Sequence, residues 1–320
     1  MKSVVLTGAS GYIGQFAIRC LLDKNYIVHA VTSKPFDFET TRNLYWYQAN
    51  LLNAGETKNL IERIRPTHLL HFAWYVEHGN YWNALYNLDW LKVGLHLAEC
   101  FAENGGERMV ISGTCAEYDW TKPSPFVEYR TPFNPQTLYG AAKSSLSLIL
   151  ERFAEVGGFS FASGKIFFPF SGNESEIRLI PSVTRALIKN EAAEISHGNQ
   201  IRDFMFVEDI AEAFVALLES DVRGAVNVAS GKGVKIKDVA AEVAKIIGTP
   251  ELLRIGAIKP QENEPPAIVA DVTRLREEVG WQKQFDLRKR LEETVNLWRE
   301  TSAFYTNSGF ENQALGCRQL

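Results

Sequence analysis

Three side chains have the types and spacing for proton transfer. Tyr139 and Lys143 stand four residues apart inside a run that predicts a helix, so both share one helical face. An ammonium near a phenol favours the phenolate and lowers its pKa from about 10 toward neutrality, which makes Tyr139 a usable general acid/base. Tyr-x-x-x-Lys alone is equally the spacing of a solvated surface pair. Thr114 changes the balance. It follows Arg108–Ser112, a run of strand type, and a hydroxyl at the carboxyl end of a central strand points into the cleft of an α/β sheet. There Thr114 could donate to a substrate oxygen while Tyr139 moves the proton. The competing role is that of a turn or helix cap, the usual job of Thr after a strand.

A second constellation lies at the start, where Val4–Gly14 reads V-V-L-T-G-A-S-G-Y-I-G. An apolar run long enough for a buried strand is followed by Gly8, Gly11 and Gly14, and then by a helical pattern. That is the order of a strand, a tight turn and a helix whose N-terminus faces a phosphate. The spacing differs from Gly-x-Gly-x-x-Gly, and a bare glycine triplet also describes an ordinary surface turn. The flanking strand and helix favour a phosphate site.

Apolar runs and helical stripes alternate in the elements that must hold these groups. Helices are expected at Tyr12–Leu22, Glu56–Ile64, Asn87–Glu103 and Leu138–Glu155. Strands are expected at Ile27–Thr32, His68–Ala73, Arg108–Ser112 and Phe159–Phe168. Such alternation implies right-handed crossovers and a parallel sheet. Beyond Pro169 the pattern loosens. Helices are expected at Pro181–Lys189, Val207–Leu218 and Ile236–Ile247, with a short strand at Ala225–Val228. Asp286 caps a last helix whose stripe is Leu287, Leu291, Val295 and Trp298. The fold expected is α/β, a doubly wound parallel Rossmann sheet with a smaller C-terminal substrate-binding α/β domain. Residues 1–168, with 202–228 returning, make the dinucleotide half; 169–201 and 229–300 make the substrate half; 301–320 form a flexible tail.

The 320 residues carry a net charge of −4 with both signs interspersed, so no nucleic-acid partner is expected. No apolar run spans a bilayer and no signal peptide is evident, so no membrane partner and a cytoplasmic location are expected. Cys20, Cys100, Cys115 and Cys317 are scattered, and His68, His78, His96 and His197 lack ligand spacing, so no metal site is expected.

Taken in order, these pieces resemble the extended branch of the short-chain dehydrogenase/reductase superfamily, the nucleotide-sugar epimerases, dehydratases and ketoreductases. The resemblance covers about residues 2–300. It includes His71-Phe-Ala, Arg202-Asp-Phe running into Val207-Glu-Asp209, Asn227-Val-Ala-Ser-Gly231 and Asp271…Leu275…Gly280-Trp281. It implies that Thr114 and Tyr139 serve hydride transfer at a sugar carbon and that Lys143 also holds the nicotinamide ribose. It places Gly8, Ser10, Gly11, Tyr12, Ile13, Asn50, Leu51, Phe72, Ala73 and Trp74 against the cofactor. Arg202 would grip the substrate diphosphate, the more so because Gln261 stands where relatives often carry an Arg, and Arg178 is a second candidate. Asn87 would steady the backbone beneath the site. The helices around Asn87–Glu103 and Leu138–Glu155 would pair in a homodimer.

Two departures narrow the reaction. The 4,6-dehydratases follow the catalytic Thr with Asp-Glu, whereas this chain has Cys115-Ala116, and Glu117 is displaced by one position and would point elsewhere. The GDP-fucose synthases place a Cys and a His where Ala116 and Arg178 stand. A 4-ketoreductase of an NDP-4-keto-6-deoxyhexose and an NDP-sugar 4-epimerase remain, beside a nucleotide-sensing protein that is no enzyme. The second strand ends Val31-Thr32-Ser33-Lys34 with no carboxylate before Asp37. An acid there usually reads the ribose 2′-hydroxyl, so Ser33 and Lys34 favour a 2′-phosphate: NADP(H) is preferred and NAD(H) possible.

Overall fold

The computed structural model describes residues 2–37, 40–172, 174–260, 262, 264–283 and 286–308, with backbone alone over 301–308. Gln261, Cys317 and residues 309–320 of the expected tail lie outside the described residues. The first half runs β1 (Ser3–Thr7), α1 (Gly14–Asp23), β2 (Ile27–Thr32), β3 (Leu44–Gln48), α2 (Ala54–Ile64), β4 (His68–His71), α3 (Tyr86–Glu103), β5 (Arg108–Thr114), α4 (Leu138–Gly157) and β6 (Ser160–Ile166). The second half runs β7 (Phe168–Phe170), α5 (Leu179–Ile188), β8 (Ala193–Ile195), β9 (Ile201–Phe206), α6 (Val207–Glu219), β10 (Gly224–Val228), β11 (Gly233–Lys235), α7 (Ile236–Ile247), β12 (Leu253–Ile255), β13 (Ala267–Ile268) and α8 (Leu287–Ser308).

Seven strands form one sheet in the order β10-β6-β5-β4-β1-β2-β3, every neighbouring pair parallel. Parallel strands need crossovers, and the helices that supply them cover both faces. Ala17 and Leu21 of α1 and Ile210 and Phe214 of α6 pack one face. Leu60, Leu97, Phe101, Leu146 and Leu150 from α2, α3 and α4 pack the other. The strand order reverses between β1 and β4, which opens a crevice at their carboxyl ends. Thr7, His71 and Thr114 end β1, β4 and β5 at that edge. A third core, including Phe170, Leu187, Phe206, Val243 and Val295, joins α5, α7 and α8 to the smaller strands.

Besides the short strands β8, β11, β12 and β13, which carry no periodic signal, the structure departs from the sequence pattern in four places. β3, an edge strand, has no apolar alternation because its apolar residues half-bury on both faces, with Tyr45 and Gln48 exposed. The single strand expected at Phe159–Phe168 splits after Ile166, and β7 leaves the large sheet to pair with β9. β9 is a strand despite Arg202 and Asp203, because both charges have partners inside the protein. The chain's return to the large sheet therefore begins with α6. Finally, α8 continues through Ser308, past the expected start of the tail, since a helix already nucleated can extend beyond its apolar stripe.

Candidate active site

Backbone sterics build the turn after β1. Gly8 has φ +67°, and a Cβ there would lie 2.8 Å from the Ala73 nitrogen. A Cβ on Gly14 would lie 2.1 Å from the Gly8 carbonyl oxygen. Glycine at these positions lets β1, α1 and the end of β4 approach. No side chain caps α1 and no acid occupies its first turn, so the backbone donors at its start suit a phosphate. Ile13 immediately precedes α1 and packs on the core. Ser10 Oγ lies 2.7 Å from Thr32 Oγ1, tying the turn to the end of β2. Ser33 and Lys34 follow, both exposed. Asn50 accepts the Leu52 amide at 3.1 Å, and Leu51 is buried beside it. Phe72 meets Phe214 edge-on, and Ala73 donates its amide to Thr7 Oγ1 at 3.3 Å. The glycine cradle and the uncapped helix start fit a dinucleotide.

Across the crevice, β5 and α4 bring Thr114, Tyr139 and Lys143 together. Thr114 takes the cap role and also stands beside Tyr139. Its hydroxyl accepts the Ala116 amide at 3.2 Å as a cap, and its side chain faces the Tyr139 phenol as a hydrogen-bond partner. Lys143 Nζ donates to the Ser112 carbonyl at 2.7 Å and lies 4.0 Å from the centre of the Trp74 ring. The Trp74 indole donates to Asn87 Oδ1 at 2.9 Å, and Asn87 Nδ2 donates to the carbonyls of Tyr81 and Ala84. Asn87 thus fixes the segment that carries Tyr81 and Trp82. Those rings meet Tyr139 edge-on, with centroids at 4.9 and 5.9 Å, and Trp120 backs Trp82.

The electrostatics correct one expectation. Burial drives the Tyr139 phenol well above its ordinary range, aided by Tyr81, and the Thr114 hydrogen bond opposes this. The Lys143 ammonium donates to the Ser112 carbonyl. Burial pushes Lys143 itself down to about 7. Burial likewise pushes the Cys115 thiol up to about 12, in keeping with a buried packing residue.

The two arginines differ. Arg202 is buried, with its guanidinium on Glu264 at 2.7 Å and on the Pro265 and Ile201 carbonyls. It is already paired and does not stand open to a diphosphate as expected. Arg178 immediately precedes α5, pairs with Glu174 at 3.2 Å and remains partly exposed. Its charge reaches Tyr12 in the phosphate turn and Tyr81 beside Tyr139. The Tyr12 hydroxyl is buried beside Ser171 and Glu174.

Comparison with known proteins agrees with this arrangement. The family described as "NAD dependent epimerase/dehydratase family" matches residues 4–229. The chain belongs to that family. It is therefore an enzyme of the extended short-chain dehydrogenase/reductase superfamily with that superfamily's dinucleotide-binding sheet. It is 33% identical over 324 residues to a dTDP-4-dehydro-6-deoxy-D-allose reductase of Streptomyces bikiniensis, covering 93% of this chain and 96% of that one. It is 26% identical to a UDP-glucose 4-epimerase of Corynebacterium glutamicum, covering 94% and 96%. Its fold matches a UDP-glucose 4-epimerase structure from Thermotoga maritima with TM-score 0.80 at 20% identity, covering 94% and 100%.

Within this family member, two groups near the site escaped the sequence reading. Lys165 forms a buried ion pair with Glu117. A lone lysine amid the small and apolar residues of Ser160–Ile166 is the signal that a buried partner exists. Glu174 is also buried, one carboxylate oxygen lacks a partner, and burial raises its pKa to about 7. No sequence periodicity marks it.

Proposed function

We propose that the enzyme reduces a keto group on a nucleotide-linked sugar, most specifically the 4-keto group of an NDP-4-keto-6-deoxyhexose. The observation that carries this reading is the aromatic wall around Tyr139. The indole donors of Trp74 and Trp120 are already spent on Asn87 and the Cys115 carbonyl. The wall formed with Tyr81 and Trp82 therefore offers ring surface to a sugar and few hydrogen bonds. That suits a deoxygenated face better than one rich in hydroxyls. The 33% identical reductase, named for a 4-dehydro-6-deoxy sugar, supports the same class. The 26% identical UDP-glucose 4-epimerase supports the alternative, a 4-epimerase, in which the same residues serve oxidation and then reduction.

A nicotinamide cofactor held by the Gly8–Gly14 turn, Ser33, Lys34 and Lys143 supplies the hydride. Tyr139 delivers the proton to the sugar oxygen and Thr114 orients that oxygen. The raised phenol is protonated before turnover, as a proton donor must be. Exposed Lys34 with no neighbouring acid favours NADP(H). Arg178 takes the substrate diphosphate by exchanging Glu174 for it, and Arg202 reaches it only if Glu264 lets go. Residues 1–168 with 202–228 bind cofactor, and 169–201 with 229–300 bind the sugar nucleotide. The exposed Tyr86 and Leu88 on α3 and Leu148 and Ile149 on α4 suit a homodimer in a cytoplasmic enzyme.

The test is a panel of nucleotide sugars, keto forms included, scored for oxidation of NADPH and NADH and for isomer exchange. Oxidation of NADPH with a 4-keto-6-deoxy substrate is expected. Exchange of glucose and galactose forms without net oxidation would establish the epimerase instead.

A further inference from the structure

Lys165 and Glu117 are both removed from solvent, at 1% and 0% side-chain exposure. Burying opposite charges is costly, and apolar residues of similar volume often pack as well, so such a pair invites a functional account. Its position supplies one. Glu117 Oε1 accepts the Thr114 amide at 2.9 Å, and Oε2 takes the Lys165 ammonium. Lys165 Nζ also donates to Ser147 Oγ at 3.0 Å and Ser163 Oγ at 3.1 Å. Ser147 follows Tyr139 and Lys143 at the same spacing of four, so one face of α4 carries all three. The pair thus joins the carboxyl end of β5 to the catalytic face of α4 and to β6. Gly113 leaves it room: a Cβ there would lie 2.7 Å from Glu117 Oε1 and 2.8 Å from Lys165 Cδ.

We propose that Lys165 and Glu117 are positioning residues of the catalytic set, holding Thr114 against Tyr139 and setting the charge that Lys143 experiences. Glu117 favours the charged form of Lys143 and Lys165 opposes it. His71 is the further titratable neighbour on the β4 side, and burial, with Lys143 beside it, pushes it down to about 3, so it is neutral at working pH. Tyr139 is faced by Tyr81, Cys115 and Glu117. Taking away either end of the pair exposes Lys143 and Tyr139 to the other end alone.

The inference rests on Thr114, Tyr139 and Lys143 being the catalytic set, so its first readout needs no substrate. In protein carrying 13C-lysine, the Lys143 Cε resonance is assigned by its loss in Lys143→Arg and titrated by NMR. Wild type is expected to titrate near 7. Lys165→Met moves the midpoint up by about one pH unit, and Glu117→Gln moves it down by about as much. The double variant returns it, and Lys165→Arg leaves it in place. The second readout is kinetic, with whichever nucleotide sugar turns over. Glu117→Gln lowers kcat by about tenfold and leaves KM within about twofold, because an interaction made chiefly in the transition state is disturbed. A purely structural pair predicts no shift, or shifts of one sign in both single variants, and either result overturns the proposal. Should Lys165→Met fail to fold, Glu117→Gln and the double variant still decide the sign. A panel without any turned-over substrate defeats the reductase reading and leaves the titration standing.

Discussion

The two walls of the cleft are held by different physics. On the β1–α1 wall the contacts are backbone against backbone. A Cβ on Gly14 meets a carbonyl oxygen at 2.1 Å, and one on Gly8 meets an amide nitrogen at 2.8 Å. On the facing wall the cations are held by carboxylates, Arg178 by Glu174 and Arg202 by Glu264. The first wall has one shape and nothing to exchange. The second holds charge that an incoming anion can compete for. The rigid wall suits the fixed shape of a dinucleotide, and the exchangeable one suits an anionic substrate that must displace a carboxylate.

The largest expected effect breaks the rigid wall. Gly14→Val has no room at the turn, so cofactor affinity should fall by at least about 100-fold, read as loss of energy transfer from tryptophan to bound reduced nicotinamide. Near-normal affinity would show that the turn can yield, and the contrast between the walls would collapse.

A smaller effect separates the two arginines. Arg178→Ala should raise the nucleotide-sugar KM by about tenfold with little change in melting temperature, the cost of one charge-assisted contact. Arg202→Ala should lower the melting temperature by about 4 °C or more, because it strands Glu264 and two carbonyls. The reverse pattern would make Arg202 the diphosphate ligand after all.

The smallest effect is a pH dependence. A carboxyl raised to about 7 is protonated below that pH and ionised above it. Acidification from pH 8 to 6 therefore removes the carboxylate that competes for Arg178, and the KM should fall by roughly threefold if that competition is a partly exposed ion pair. Glu174→Gln should abolish the slope. A slope that survives the substitution would assign it to another group.

The rigid wall was the more legible of the two. Its residues are consecutive, and three glycines between a strand and a helix state their own geometry. Tyr139 and Lys143 were legible for the same reason, as neighbours on one helix. What escaped was set by distant partners. Lys165 finds Glu117 across 48 positions, and Arg202 finds Glu264 across 62. The depressed phenol expected from Tyr-x-x-x-Lys also failed, because helical spacing brings two side chains to one face without saying which group the ammonium binds. Ser112, at the end of a different element, takes it. β3 was missed because its apolar residues half-bury on both faces, Leu44 and Trp46 on one core and Tyr47 on the other, which leaves no alternation to read.

The central claim is that Tyr139 serves hydride transfer to a sugar carbonyl. The most direct test supplies NADPH deuterated at the nicotinamide C4 with an NDP-4-keto-6-deoxyhexose and follows the label by NMR and mass spectrometry. The account predicts one deuterium on the reduced sugar carbon with wild type, and a rate lower by about 10²–10⁴-fold in Tyr139→Phe with cofactor binding intact. Product free of deuterium, or a Tyr139→Phe variant that turns over at a near-normal rate, would contradict it.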